Sequence, residues 1–183
     1  MKKLFALLTV LMMLLPAALA DTVHLDAFTF ELPEEDLYIQ YEKTEGGVVL
    51  FFYPSIDWEA EFRDNINITW TSQSLRGLDA TADEMAEETV REAIAQLEEA
   101  GVIAANDEIL ETAFDPDEGM FTVYYKLDVD YTPMGIDTQL TLYFYQLSIL
   151  VEGDGTYIFT LTSNSETGME ALHQHLDEVM QPN

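Results

Sequence analysis

The sequence has 183 residues with 35 Asp plus Glu against 7 Lys plus Arg, which gives a formal net charge of −28. Binding to nucleic acid or to an anionic membrane surface depends on Lys and Arg, so this charge excludes both classes. The 48% of hydrophobic residues are typical of a folded globular protein. The absence of Cys excludes disulfides, thiol nucleophiles and Cys-type zinc sites.

The first 20 residues have the pattern of a secretory signal peptide. Lys2 and Lys3 precede an apolar run over residues 4–15, and the segment ends at Ala20 in a small-x-small pattern. The apolar run is shorter than the ~20 residues of a membrane-spanning helix. The sequence predicts cleavage after Ala20 and a secreted or extracytoplasmic product with no membrane anchor. Residues 21–183 would form a single domain, with a formal charge of −30 once Lys2 and Lys3 are lost.

The first part of the mature chain has the two-residue alternation of β-strands. Strands are predicted over 28–32, 37–41, 48–53 and 66–70, and the second and third form a hairpin around Gly46 and Gly47. From Thr81 the apolar spacing changes to three and four residues, which predicts a helix that ends at Gly101. Thr81 and Glu84 have the spacing of a capping box, and the acidic side of the helix is expected to face solvent.

Strands return after the helix. One is predicted over 109–114, followed by a turn at 115–119 and a long hairpin of strands 120–131 and 136–151. A four-residue loop in this hairpin would pair Tyr131 with Ile136 and place Asp130 opposite Asp137. A last strand over 157–162 precedes an amphipathic helix over 169–180.

Residues 142–151 are apolar on both faces of their strand, which indicates a sheet that is covered on both sides. The predicted fold class is therefore α+β, a three-layer α/β/α sandwich with a mainly antiparallel sheet.

The order of these elements over residues 27–180 resembles the PsbP-like fold. The resemblance rests on Phe28-x-Phe30-x-Leu32-Pro33, the isolated strand at 65–68, the acidic helix, the long hairpin, and Tyr157-x-Phe159-x-Leu161-Thr162 before the last helix. This fold is shared by an extrinsic subunit of the photosynthetic oxygen-evolving complex, a Ran-binding nuclear import factor and many exported bacterial proteins. The resemblance implies binding of other proteins without a common catalytic site, and it transfers no individual functional residue.

The residues themselves also point away from an enzyme. There is no nucleophile elbow and no glycine-rich phosphate loop. His173 and His175 are two positions apart on a helix, so they point in different directions and cannot jointly bind one metal. The spacing predicts that His173 is partly buried and that His175 is exposed.

Two groups of residues are candidates for a site. The predicted hairpin register brings Asp128, Asp130 and Asp137 together, which suggests a cation site, with calcium as the candidate ion. Like charges that lie opposite each other destabilise a strand pair, and a bound cation would relieve this repulsion. Solvent screening at the hairpin end would relieve it as well. Trp58 lies in an irregular acidic stretch, where an aromatic side chain is either a partner-binding anchor or a lid over the core.

The sequence thus predicts an exported, non-catalytic binding protein of the cell envelope or extracellular space. Its acidic surface favours a cationic partner: a basic protein or peptide of the envelope, a polyamine, or metal cations. The alternatives are a protein that binds a small apolar ligand between the sheet and the long helix, and a carboxylate-dependent hydrolase. Self-repulsion at this charge favours a monomer.

Overall fold

The computed structural model describes residues 22–54, 60 and 62–183. The predicted signal peptide and Trp58 lie outside the described residues. The described strands are β1 (Thr22–His24), β2 (Phe28–Glu31), β3 (Leu37–Gln40), β4 (Gly47–Tyr53), β5 (Asn65–Thr71), β6 (Ile103–Asp115), β7 (Met120–Asp130), β8 (Gln139–Val151), β9 (Gly155–Ser163) and β10 (Met180–Pro182). The helices are α1 (Ala82–Glu99), a short 3₁₀ turn (Thr132–Met134) and α2 (Glu166–Val179).

The strands form two antiparallel sheets. The large sheet has seven strands in the order β3-β4-β5-β9-β8-β7-β6, and the small sheet has three in the order β1-β2-β10. Each described strand pair is antiparallel. The predicted α+β class with a mainly antiparallel sheet is therefore confirmed.

The small sheet was not predicted. Phe30 of β2 pairs with Val23 of β1 on one side and with Met180 of β10 on the other. The last helix accordingly ends at Val179, one residue before its predicted end, because Met180 is already extended. Three-residue strands are too short to show a period in the sequence, so only the tertiary pairing reveals them.

Apolar side chains pack on both faces of the large sheet. One cluster joins the small sheet and α2 to the large sheet, with Phe30, Phe159 and Leu172 among its buried members. The other cluster packs Val90 of α1 against β7 and β8, with Val123, Tyr125, Leu127 and Leu142 buried in it. Tyr124 belongs to the first cluster while its neighbours belong to the second, as strand alternation requires.

Both helices begin after a side-chain cap, and α2 begins at Glu166, three residues before its predicted start. The Glu84 amide donates to Thr81 Oγ1 over 3.2 Å, and the Thr81 amide donates to the Glu84 carboxylate over 2.9 Å, so the predicted capping box is confirmed. The Gly168 amide donates to Ser165 Oγ over 3.0 Å at the start of α2. These bonds satisfy amide groups that would otherwise lack partners in the first helical turn.

The predicted register of the β7–β8 hairpin is wrong by two residues. Asp130 pairs with Gln139 instead of Asp137, and Tyr131 donates its amide to the Thr138 carbonyl over 3.0 Å. The loop is longer than predicted because the 3₁₀ turn is followed by Gly135 at φ 83° and by Ile136, whose amide still bonds to Tyr131. Because the shift is two residues, each side chain stays on its predicted face.

Candidate functional site

Three segments meet at one end of the large sheet and form a surface that we call the tip: the end of α1 with the turn after it (residues 98–101), the start of β6 (Ile103), and the β7–β8 loop (residues 131–138). Gly101 has φ 92°, a left-handed conformation that reverses the chain after the helix. Ile103 then pairs with Asp130 of β7. Met134 of the loop lies over Gly101, with its Cγ 3.7 Å from the position that a Cβ on Gly101 would take.

Large apolar side chains are exposed at the tip. Ile103 is 52% exposed, Met134 is 42% exposed and Ile136 is 50% exposed. Single exposed apolar residues are ordinary, whereas a group of them beside one another marks a surface that contacts a partner.

Exposed carboxylates lie on the same segments as these apolar side chains. Glu98, Glu99 and Asp137 are exposed, and the last turn of α1 contains no basic residue. The end of a helix carries a partial negative charge of its own, which a basic side chain would normally offset. Along β7, Lys126 is held by Glu108 at 2.7 Å, and this hydrogen bond raises the Lys126 pKa. The tip therefore combines exposed apolar side chains with negative charge.

The three aspartates of the predicted cation site do not have the predicted arrangement, because Asp130 pairs with Gln139 instead of Asp137. Asp128 accepts hydrogen bonds from Thr141 at 2.7 Å and from Asn106 at 2.9 Å, and these lower its pKa. Asp130 accepts from the Thr132 amide at 2.8 Å and from Gln139 at 3.1 Å, and its pKa is lowered mainly by Thr132. Asp137 lies outside the strand pairing, in the loop.

The calcium prediction for Asp128, Asp130 and Asp137 thus depended on a register that the hairpin does not have. Within residues 22–54, 60 and 62–183, no group of three or more His, Asp or Glu could hold a metal ion. The Asp128 and Asp130 carboxylates instead accept hydrogen bonds from neutral amide and hydroxyl groups near the end of the hairpin.

The two helical histidines have different surroundings. His173 packs edge-on against Tyr145, with ring centres 4.1 Å apart, and burial lowers its pKa, which agrees with its predicted partial burial. The prediction that His175 is exposed is wrong. A His175 ring nitrogen lies 2.6 Å from the Asp36 carboxylate, with side-chain exposures of 16% and 0%. This pair ties α2 to the segment before β3, because the sheet brings the two elements together.

A groove between α1 and β6 is the place where a small apolar ligand could lie between helix and sheet. Its volume is about 240 Å³, and its lining includes Glu87, Arg91 and Asp107 beside Val90 and Ile109. Ligand pockets usually have ~300–1,000 Å³ and few charged groups. The groove is therefore small and highly charged for such a ligand.

Sequence reasoning missed Ile103, Met134 and Ile136 as site residues. A signal was present, because two large apolar residues flank Gly135 in a loop that solvation alone would make polar. In the part of the chain that the structure describes, neither helix is long and apolar enough to cross a membrane.

The fold is shared with solved structures of very different sequence. No protein-family model matches the chain, and no curated protein matches it. The solution structure of cyanobacterial PsbP (CyanoP) from Synechocystis sp. PCC 6803 is similar with a TM-score of 0.55 and 13% identity, over 92% of this chain and 95% of that chain. The Saccharomyces cerevisiae Ran-binding protein Mog1p is similar with a TM-score of 0.51 and 15% identity, over 88% of this chain and 94% of that chain. The chain has the PsbP-like fold, as the resemblance in its sequence predicted.

Proposed function

We propose that this protein is an exported, non-catalytic binding protein whose tip docks a basic, amphipathic segment of a partner protein in the cell envelope. The observation that carries the proposal is the exposure of Ile103, Met134 and Ile136 at the tip. The same segments carry the exposed carboxylates of Glu98, Glu99 and Asp137, which we call the acidic rim. A partner segment with apolar anchors on one side and Lys or Arg beside them matches both features.

The charge of the tip selects between the possible occupants. A second copy of this chain would bring its own acidic rim against Glu98, Glu99 and Asp137, so self-association is disfavoured. An acidic partner is disfavoured for the same reason. Lys and Arg of a basic segment would pair with the rim and would also approach the negative end of α1. Apolar contact supplies the affinity, while charge supplies the selection and the rate of association.

The fold supports the non-catalytic part of the proposal. One structural neighbour is named for binding another protein, Ran, and the other is named PsbP.

The export part of the proposal depends on residues 1–20, with their basic start, apolar run and cleavage pattern. N-terminal sequencing of the protein recovered from the culture medium or periplasm should begin at Asp21. Recovery of full-length chain from the cytosol alone would contradict export.

The docking test uses synthetic peptides and fluorescence anisotropy. A labelled helical peptide of Lys and Leu is the probe, a Lys and Ser peptide has the same charge without apolar anchors, and a Glu and Leu peptide has the opposite charge. We expect the Lys and Leu peptide to bind most tightly of the three, and we expect its binding to weaken in about 0.5 M salt. Ile136→Ser should weaken binding by about tenfold, since it removes CH₂ groups worth ~0.8 kcal/mol each. The matched control is Leu78→Ser, which changes a side chain that is 43% exposed before the start of α1.

Charge reversal tests the acidic rim. Asp137→Lys should weaken binding of the Lys and Leu peptide by about fivefold, the size expected for exposed charge pairs. Asp117→Lys makes the same change at the exposed turn between β6 and β7, at the other end of the sheet, and should leave binding nearly unchanged. Equal effects of these two substitutions, or equal binding of the Lys and Ser peptide, would show attraction to bulk charge only and would overturn the proposal.

A further inference from the structure

Far from the tip, the ammonium group of Lys43 is enclosed by carboxylates and aromatic rings. Its Nζ donates to Asp26 at 2.9 Å, to Tyr157 Oη at 3.2 Å, and to Asp154. It also lies 4.5 Å from the ring centre of Trp70 and 5.3 Å from that of Tyr157. Carboxylates together with aromatic faces are the surroundings that proteins use to bind organic cations.

The hydrogen-bonding capacity of this ammonium is fully used. An ammonium has three N–H groups, and Lys43 has three acceptors in Asp26, Asp154 and Tyr157. Burial works against the charged form, but these bonds outweigh it and raise the Lys43 pKa. Burial and the bond to Asp154 raise the Tyr157 pKa to about 12, so its hydroxyl stays protonated and donates to Asp154 at 2.7 Å. Lys43 therefore has no donor left for a ligand.

A cavity of about 450 Å³ opens beside this ammonium, where the small sheet meets β3, β4 and β9. Its size lies within the ~300–1,000 Å³ of small-molecule sites. Asp26 and Glu42 supply carboxylates to its lining, and the edge of Leu25 and the half-buried ring of Tyr41 supply apolar surface. The lining contributes the carboxylates of Asp26 and Glu42 and the ammonium of Lys43, and Asp154 adds a third carboxylate as a partner of Lys43, so these groups together have a formal charge of −2.

These features select the class of ligand. An anion would need a free donor from Lys43, which the three existing bonds remove, and it would meet the charge of Glu42. A cation would meet carboxylate oxygens at Asp26 and Glu42. Apolar surface beside those carboxylates suits a methylene chain next to the charged group. We infer that the cavity binds a small aliphatic amine, with its ammonium group at Asp26 and Glu42 and its chain against Leu25 and Tyr41.

This site is separate from the tip, so the two proposals can fail independently. The tip adjoins the Gln139 end of β8, whereas Asp154 lies in the turn after Val151 at the other end. A strand of 13 residues spans roughly 40 Å at ~3.3 Å per residue. Substitutions at one end should not change binding at the other.

Calorimetric titration of the full chain at low ionic strength tests the inference, with putrescine as the probe. Butane-1,4-diol has a similar chain without charge, and succinate has the opposite charge. We expect heat of binding with putrescine only. Glu42→Gln should weaken the binding by about fivefold, as expected for an exposed carboxylate. Glu92→Gln, the same change on the exposed side of α1, should leave it unchanged. Absence of binding, equal binding of the diol, or equal effects of the two substitutions would overturn the inference.

Lys43→Met provides a second variant that does not depend on Glu42. The methionine retains most of the chain length of lysine but removes the charge, so Asp26, Asp154 and the aromatic rings become available to a ligand. We expect putrescine to bind this variant several-fold more tightly than the wild type. Weaker binding by a variant that circular dichroism shows to be folded would mean that Lys43 itself contacts the ligand, which would overturn the assignment to a cationic ligand. If the variant does not fold, the Glu42→Gln comparison decides.

Discussion

His175→Leu is expected to lower the free energy of unfolding by about 2 kcal/mol, because it removes the ring nitrogen that lies 2.6 Å from the buried Asp36 carboxylate. A hydrogen bond to a charged group contributes ~1.5–3 kcal/mol to stability. The side-chain exposures of 16% for His175 and 0% for Asp36 keep water from replacing this bond. For a chain of this length, the corresponding fall in melting temperature is about 4–8 °C.

The measurement is urea unfolding followed by tryptophan fluorescence, with both tryptophans retained. His24→Leu is the matched control, since His24 is exposed and its ring bonds only to the Thr29 hydroxyl at 3.1 Å among the described residues. It should change the free energy by no more than about 0.5 kcal/mol. A double-mutant cycle with Asp36→Leu should give a coupling energy of about 1–3 kcal/mol. A His175→Leu effect no larger than the control, or a coupling energy near zero, would refute the assigned role of the pair.

Two further predictions concern pH and calcium. The His173 pKa lies below 6.5 in the folded protein because burial disfavours the charged ring, although Asp177 opposes this. The unfolded chain therefore binds more protons below pH ~6.5, so this contribution to stability is complete above pH ~6.5 and is lost as the pH falls towards the folded-state pKa. The urea midpoint of the wild type should fall more steeply with decreasing pH than that of His173→Phe, and parallel curves would contradict the assignment. Millimolar calcium should leave the melting temperature unchanged, since Asp130 bonds to neutral donors. A rise in melting temperature that Asp130→Asn abolishes would instead support the predicted calcium site.

Local patterns predicted much of the fold correctly. The capping box at Thr81 and the three-and-four spacing after it placed helix α1, because both depend on residues within one or two turns of each other. The same holds for the faces of β7 and β8, since strand alternation survives a register shift of two residues. The shift itself came from the loop, where a 3₁₀ turn and Gly135 add length that the apolar pattern does not report.

The sequence alone determined the acidic charge, the element order that resembles the PsbP-like fold, and which side chains share a face. Only the tertiary structure decided what those faces meet. His175 and Asp36 are 139 positions apart, and Lys43 and Asp154 are 111 apart. No local spacing predicts such pairs, because the sheet order brings them together. The acidic side chains therefore belong to surfaces with different chemistry. Some lie beside exposed apolar side chains at the tip, and others line a cavity beside the Lys43 ammonium, whose donors are all used.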